Sequence, residues 1–352
     1  MINGIDTTNG EDLMRYVIIG AGAIGGVVGG RLAEAGHEVV LVARGAHLAA
    51  LRETGLRLTT PEGTRTLHLP CAEGPQEVEL RAEDVLVLAV KTQDSIAALD
   101  AWSGRPVAGG GTAGEALPLV CAQNGVENER LALRRFRRVY AMCVYLPATF
   151  VEPGAVSAAG EPVTGILHLG RYPQGVDETA RRIGADLEKS HFLAPVVPDA
   201  MRWKYGKLLS NLVNSLNAVS GSAALATPAG RDLVDRAAAE GRAALAAAGI
   251  AVASAEEQTE ARDGRIAMAE LPGGKPGGGS SWQSLVRGTG SIEADYLNGE
   301  ISLLGRKHGV PTPVNDLLGR LANEFARERR KAGSLPVEEV AGELRAGQVP
   351  PG

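Results

Sequence analysis

A lysine followed by amides at helical spacing is the arrangement in this chain best suited to chemistry. The segment WKYGKLLSNLVNSLNAVSG (203–221) is largely apolar, carrying Leu208, Leu209, Leu212, Val213, Leu216 and Val219. At about 100° per residue, with Lys207 at about 0°, Asn211 falls near 40°, Ser215 near 80° and Asn214 near −20°. One lysine beside several amides reads as the lining of a polar pocket. An exposed face, or amide contacts between helices, is the alternative. A lysine in a partly desolvated cleft has its pKa lowered toward the working pH, which makes it a usable proton donor. A second constellation is Ser280-Ser281-Trp282, then Ser291-Ile292-Glu293-Ala294-Asp295-Tyr296-Leu297-Asn298-Gly299. Its Glu293 and Asp295, near a helix start, could simply complement the helix dipole.

A glycine pattern points to a different kind of site. Gly20-Ala21-Gly22-Ala23-Ile24-Gly25 is a GxGxxG that follows the strand-like RYVIIG (15–20) and opens an Ala-rich helix. The first glycine allows a tight turn, the second lets backbone approach a pyrophosphate, and the third lets helix pack on strand. The helix N-terminus then offers free N–H groups to phosphates. The pattern therefore predicts a dinucleotide site formed by Gly20, Gly22, Ala23, Ile24 and Gly25; a glycine-rich helix start serving only close packing is the alternative. The second strand ends Val42-Ala43-Arg44, with no acid before Glu53. An NAD site usually places an acid there for the ribose 2′-hydroxyl, whereas Arg44 would meet a 2′-phosphate, so NADPH is favoured over NADH. A solvated loop arginine is the other reading. Lys91 and Asn124 (in Gln123-Asn124-Gly125) each follow a buried strand at the carboxyl edge, where open α/β sheets bind ligands. Asn124-Gly125 would also serve as a plain turn.

These groups need a frame. Strand-like runs 37–44, 84–91 and 118–125 alternate with helical segments, which predicts a parallel sheet covered on both faces. The run 55–70 reads as a hairpin about Pro61-Glu62-Gly63. Segments 144–160 and 163–170 read as antiparallel strands that finish the same sheet. After the strand 191–198 the period becomes helical, with helices expected over 202–220, 230–248, 253–269, 291–308 and 314–331. The Gly/Pro-rich LPGGKPGGGSS (271–281) reads as a mobile loop closing over a substrate cleft. The expected organisation is a disordered leader (1–13), a Rossmann-type α/β domain (14–197), an all-α domain (198–332) and a loosely attached tail (333–352).

Composition narrows the function classes. The chain has 352 residues, 36 Lys plus Arg against 41 Asp plus Glu, and so a net charge of −5. That balance gives no footprint for nucleic acid or an anionic membrane. No apolar run is long enough to span a membrane, and the polar first 13 residues are not a secretory signal. Cys71, Cys121 and Cys143 have neither disulfide nor zinc spacing, so the expectation is a reducing cytoplasm and no metal. Ala-rich helices with few aromatics are compatible with a homodimer through the second domain.

In order and spacing, GAGAIG, Arg44, Lys91, Asn124-Gly125, the Lys207 helix and SSW…SIEADYLNG resemble the ketopantoate reductase (2-dehydropantoate 2-reductase) family. The resemblance covers about residues 14–331. It implies a Rossmann-type domain joined to a C-terminal domain like that of 6-phosphogluconate dehydrogenase. The implied activity is that of an NADP-dependent oxidoreductase of CH–OH groups: NADPH-dependent reduction of a 2-keto acid, ketopantoate, to pantoate, as in pantothenate biosynthesis. On the family pattern Lys207 matches the general acid and Glu293 a carboxylate that orients the substrate hydroxyl and contacts cofactor. Asn124, Asn211 and Ser281 match substrate-binding positions, and Lys91 a residue near the nicotinamide, with Asn124 also facing cofactor. The family's second asparagine, eight residues after the lysine, is here Ser215, with Asn214 and Asn217 beside it. Trp282 replaces a methionine and Leu285 an acid. These departures are expected around the substrate rather than the cofactor. They keep open a paralogue acting on another carbonyl or an imine. A non-catalytic NADP(H) sensor is less consistent with retention of both Lys207 and Glu293.

Overall fold

The computed structural model describes residues 14–272, 279–288 and 290–347. The expected leader (1–13), most of the expected cleft-closing loop (273–278) and the end of the tail (348–352) lie outside the described residues. Arg15–Ile19 is buried along its whole length and pairs in parallel with Val39–Val42 on one side and Asp84–Leu88 on the other. The sheet continues in parallel through Pro118–Cys121 and Arg138–Tyr145, and on the opposite edge through Cys71–Ala72. Gly165–Arg171 joins antiparallel to Arg138–Tyr145, and Phe192–Leu193 completes the eight strands. Two apolar clusters cover the two faces, as continuous Val/Ile/Leu strands require.

The other short strands do not extend this sheet. Leu56–Thr60 and Gly63–Leu67 form the expected hairpin, but Ala155–Ala158 pairs in parallel with Leu56–Thr60 and antiparallel with Ala148–Glu152, making a separate four-stranded sheet. The expectation that segment 144–160 finishes the main sheet is therefore corrected. The helix Ala23–Glu34 explains the arrangement. Its Gly26 and Gly30 bring bare backbone against Val156 and Leu58, where a Cβ would come within 2.9 and 3.0 Å. Two glycines inside the helix, beyond those of the turn that opens it, thus let a second sheet close over it.

The helical part begins at Ala200, where Asp199 accepts a hydrogen bond from the Arg202 amide at 3.0 Å. Helices Ala200–Asn211, Val213–Ser220, Pro228–Ala247, Asn298–His308 and Pro313–Arg327 pack around Leu208, Leu216, Leu233, Ile301, Leu318 and Phe325. Four expected elements change, the first being the helix over 202–220, which is broken into Ala200–Asn211 and Val213–Ser220. The helix over 253–269 is shorter, Ala255–Arg262; after Gly264 (φ +65°) Ile266–Met268 pairs as a strand with Gly160–Pro162 of the first domain. The helix expected over 291–308 starts as a 3₁₀ turn, Glu293–Tyr296, before Asn298–His308. The tail holds a helix, Val337–Gly347, whose Val337, Val340 and Leu344 are buried in the second core at helical spacing.

Candidate active site between the sheet edge and the helical domain

The glycine turn has the geometry a dinucleotide phosphate needs. Gly20 sits at φ +102°, and a Cβ there would meet Val90 at 2.8 Å. A Cβ on Gly25 would lie 2.1 Å from the Gly20 carbonyl oxygen, so Gly25 serves the packing of helix on strand. Gly22 faces open space, and no side chain caps the helix that it precedes. The first N–H groups of that helix therefore remain available to an anion. A cleft of about 860 Å³ begins at this turn. Gly20, Gly22, Ala23, Ile24, Arg44, Lys91, Asn124, Lys207, Asn211, Asn214 and Glu293 all line it.

In and beside the cleft the two domains meet through three buried or half-buried sets of groups. In the first, the half-buried Lys207 ammonium donates to Asn124 Oδ1 at 2.8 Å and to the Val144 carbonyl. An ammonium has three N–H groups, so one is left for a ligand in the cleft. Loss of hydration lowers the Lys207 pKa below its ordinary value; Lys204 and Arg262 add to this, against the opposing Cys143 and Glu293.

In the second set, Glu293 at the start of its 3₁₀ turn reaches back to the first domain. Its Oε2 accepts from Lys91 Nζ at 2.6 Å, and its Oε1 accepts from the Thr92 amide and hydroxyl, both at 3.1 Å. The Thr92 oxygen in turn accepts from Asn128 Nδ2 at 3.1 Å, and Asn128 Oδ1 accepts from the Ser95 hydroxyl at 2.7 Å. Glu293 is thus a bridge between domains, fixed in orientation by three donors, rather than a group complementing a dipole. Asp295 accepts instead from Asn323 on the helical side at 2.6 Å.

The third set lies one helical turn from Lys207, where Lys204 forms an ion pair with Glu129 of the first domain. The side chains are 2% and 0% exposed. Burial pushes the Glu129 carboxyl up, against the pull of Lys204.

Two expected substrate positions lie elsewhere. Ser215 is fully buried and does not line the cleft; its hydroxyl donates to Asn298 Oδ1 at 2.6 Å. Asn298 Nδ2 also donates to the Leu212 carbonyl at 3.1 Å, where helix Ala200–Asn211 gives way to Val213–Ser220. Past that break Asn214 is the amide in the cleft. Ser281 is 2% exposed inside helix Ser280–Val286, and its neighbour Ser280 lines the cleft instead. Leu285 is buried in the helical core, so its replacement of an acid concerns packing, and the expectation that it lies beside substrate is corrected.

The sequence reading passed over Thr92, Asn128, Glu129, Lys204 and Arg287. Only Lys204 carried a local signal: at about 60° on the same helical wheel it shares the Lys207 stripe. Among the described residues no cluster of His, Cys, Asp and Glu could hold a metal, the three cysteines are free, and no helix is long and apolar enough to cross a membrane.

Comparison with known proteins gives the following matches. The family described as ketopantoate reductase PanE/ApbA matches residues 16–174, and its C-terminal counterpart matches 199–326. A 2-dehydropantoate 2-reductase of Mesorhizobium japonicum is 32% identical over 90% of this chain and 99% of that protein. Two other curated relatives of the same name are matched over 61% and 64% of their length. A PanE/ApbA family ketopantoate reductase from Ralstonia eutropha superposes with TM-score 0.74 at 25% identity, covering 90% of this chain and 100% of that one. A D-mandelate dehydrogenase, solved with NADH and anilino(oxo)acetate, has the same fold at 23% identity (TM-score 0.75), covering 90% and 99% of the two chains.

Proposed function

This chain belongs to the ketopantoate reductase PanE/ApbA family, and from that premise we propose that it reduces a 2-keto acid, 2-dehydropantoate first among candidates, to the 2-hydroxy acid with NADPH. The observation that carries the proposal is a half-buried lysine with a lowered pKa in the cleft that opens from the glycine turn. A bound reduced nicotinamide supplies the hydride. Everything else is work for this chain. As the carbonyl carbon is reduced, negative charge grows on its oxygen, and the Lys207 ammonium both stabilises that charge and gives it a proton. Asn124 and the Val144 carbonyl hold Nζ in place, so the proton is presented from a fixed point. Lys207 then regains its proton from solvent. Asn211 and Asn214 offer amide donors and acceptors to the substrate from the same helix face. The Lys91–Glu293–Thr92 bridge holds the two walls of the cleft together.

The test is NADPH oxidation measured against ketopantoate and a panel of other 2-keto acids, carbonyls and imines. Turnover fastest on ketopantoate is the expected result. Turnover on another carbonyl or an imine alone would make the chain a paralogue with a different substrate. Tight NADPH binding with no turnover on any of them would make it a sensor.

Cofactor choice has its own test. Arg44 is exposed, lines the cleft and forms no ion pair among the described residues, which suits a 2′-phosphate. Glu73, just past the neighbouring edge strand Cys71–Ala72, lines the adjoining hollow of about 300 Å³ together with Arg44 and Gly22. An acid there suits a ribose 2′-hydroxyl instead. Arg44→Ala should raise KM for NADPH about 10-fold or more and leave KM for NADH nearly unchanged, given the worth of charged hydrogen bonds. Equal effects on both would remove the 2′-phosphate assignment and place Arg44 on a group that the two nucleotides share.

A further inference from the structure

We infer that Arg287 is a second anion anchor, which takes a phosphate oxygen of the bound dinucleotide from the side of the helical domain. The inference rests on the nicotinamide-cofactor reading above and adds a residue to it. Arg287 stands at the C-terminal end of helix Ser280–Val286 and lines the same cleft as Gly22 and Arg44. Its guanidinium lies over the Phe150 ring, 5.4 Å from the ring centre. Phe150 meets His47 edge-on at 4.9 Å. His47 Nδ1 accepts from the Gly154 amide at 2.9 Å, so Nε2 carries the proton that goes to the Ala21 carbonyl, 2.7 Å away. This line of contacts ends inside the glycine turn, so it ties Arg287 to the phosphate side of the cleft.

Charge accounting points the same way. Lys91 is paired with Glu293, and Lys207 is bound to Asn124 and Val144. Arg44 and Arg287 both line the cleft, and neither forms an ion pair among the described residues. A guanidinium fork matches phosphate oxygens in pairs, and its stacking on an aromatic face holds it ready without a carboxylate to compete. Because Arg44 comes from the first domain and Arg287 from the second, a dinucleotide held by both would also draw the cleft walls together.

The experiment is a fluorescence titration of wild type, Arg287→Gln and Arg287→Lys with NADPH and with NADH, together with KM for the keto acid at saturating cofactor. Arg287 is exposed, so the variants are expected to fold, which an unchanged Tm checks. The inference predicts a Kd about 10-fold or more higher for Arg287→Gln, the worth of a hydrogen bond between charged groups, with partial recovery in Arg287→Lys. Weaker binding of both nucleotides places the contact on the pyrophosphate, and weaker binding of NADPH alone places it on the 2′-phosphate. Unchanged Kd values would overturn the inference, whether or not KM for the keto acid rises; a rise would mean that the guanidinium serves the substrate carboxylate instead. If wild type binds neither nucleotide, the cofactor reading itself fails, and Arg287 falls with it.

Discussion

Lys207→Ala is expected to lower kcat by about 10²-fold or more, the scale of general acid catalysis, while Kd for NADPH stays near the wild-type value. Nζ is fixed by Asn124 and the Val144 carbonyl, and the lysine comes from the helical domain while both partners come from the sheet edge. Alanine removes the proton donor and the cation together, and no other ammonium can take its place. Lys91 is engaged by Glu293, and Lys204 is buried against Glu129. The pH dependence follows in sign. Only protonated lysine can donate, so wild-type kcat should fall as pH rises through the Lys207 pKa. Burial places that midpoint below the ordinary lysine value of about 10.4. The variant should lose this alkaline limb. A near-normal kcat with the limb intact would move the acid role to another group.

Lys204→Met is expected to destabilise the fold by about 3–5 kcal/mol, the cost of leaving one member of a buried ion pair without its partner. Both side chains are essentially inaccessible, and the pair joins helix Asn128–Leu133 to helix Ala200–Asn211 across the domain seam. Glu129 Oε2 already lacks a hydrogen-bond partner within the described residues, so there is no second donor to fall back on. The loss should depend on pH. Burial raises the Glu129 carboxyl, and without Lys204 it would rise further. A carboxyl with a raised folded-state pKa is tolerated where it is protonated. Relative to wild type, the deficit should therefore grow as pH climbs from the already raised Glu129 value of the intact pair through the further raised value of the variant. Urea unfolding at about pH 5 and about pH 8 measures this, with a larger loss expected at the higher pH. The double variant Lys204→Met/Glu129→Gln should recover part of the stability by removing the stranded charge. A small, pH-independent loss would mean that water reaches Glu129.

Much of the cofactor side was legible because its signals are local. The spacing of the glycines at 20, 22 and 25 is contained within six residues, and the contact of Gly25 with the Gly20 carbonyl is local, although the surface that crowds Gly20 is Val90 of a neighbouring strand end. The lysine–amide stripe was legible because a helix of 3.6 residues per turn determines which side chains share a face. The same rule included Lys204, but it could not say that a buried carboxylate would lie opposite.

The sequence by itself determined the alternation of buried strands and helices, the glycine turn, and the stripe holding Lys207, Asn211 and Asn214. It did not determine which surface each face would meet. Glu293 and Lys91 are 202 positions apart, and Lys204 and Glu129 are 75 apart. Ser215 and Asn214 are adjacent, yet one is bonded to Asn298 in the core and the other faces the cleft. The strand Ala155–Ala158 left the main sheet for a hairpin some hundred residues earlier, because the glycine face of one helix gave its Val156 a closer surface to bury. Periodicity is a property of the nearest few residues, whereas burial and charge pairing depend on whatever the whole fold brings alongside. Only the tertiary structure could therefore turn a polar stripe into a cleft and decide which of its charges are held by a partner.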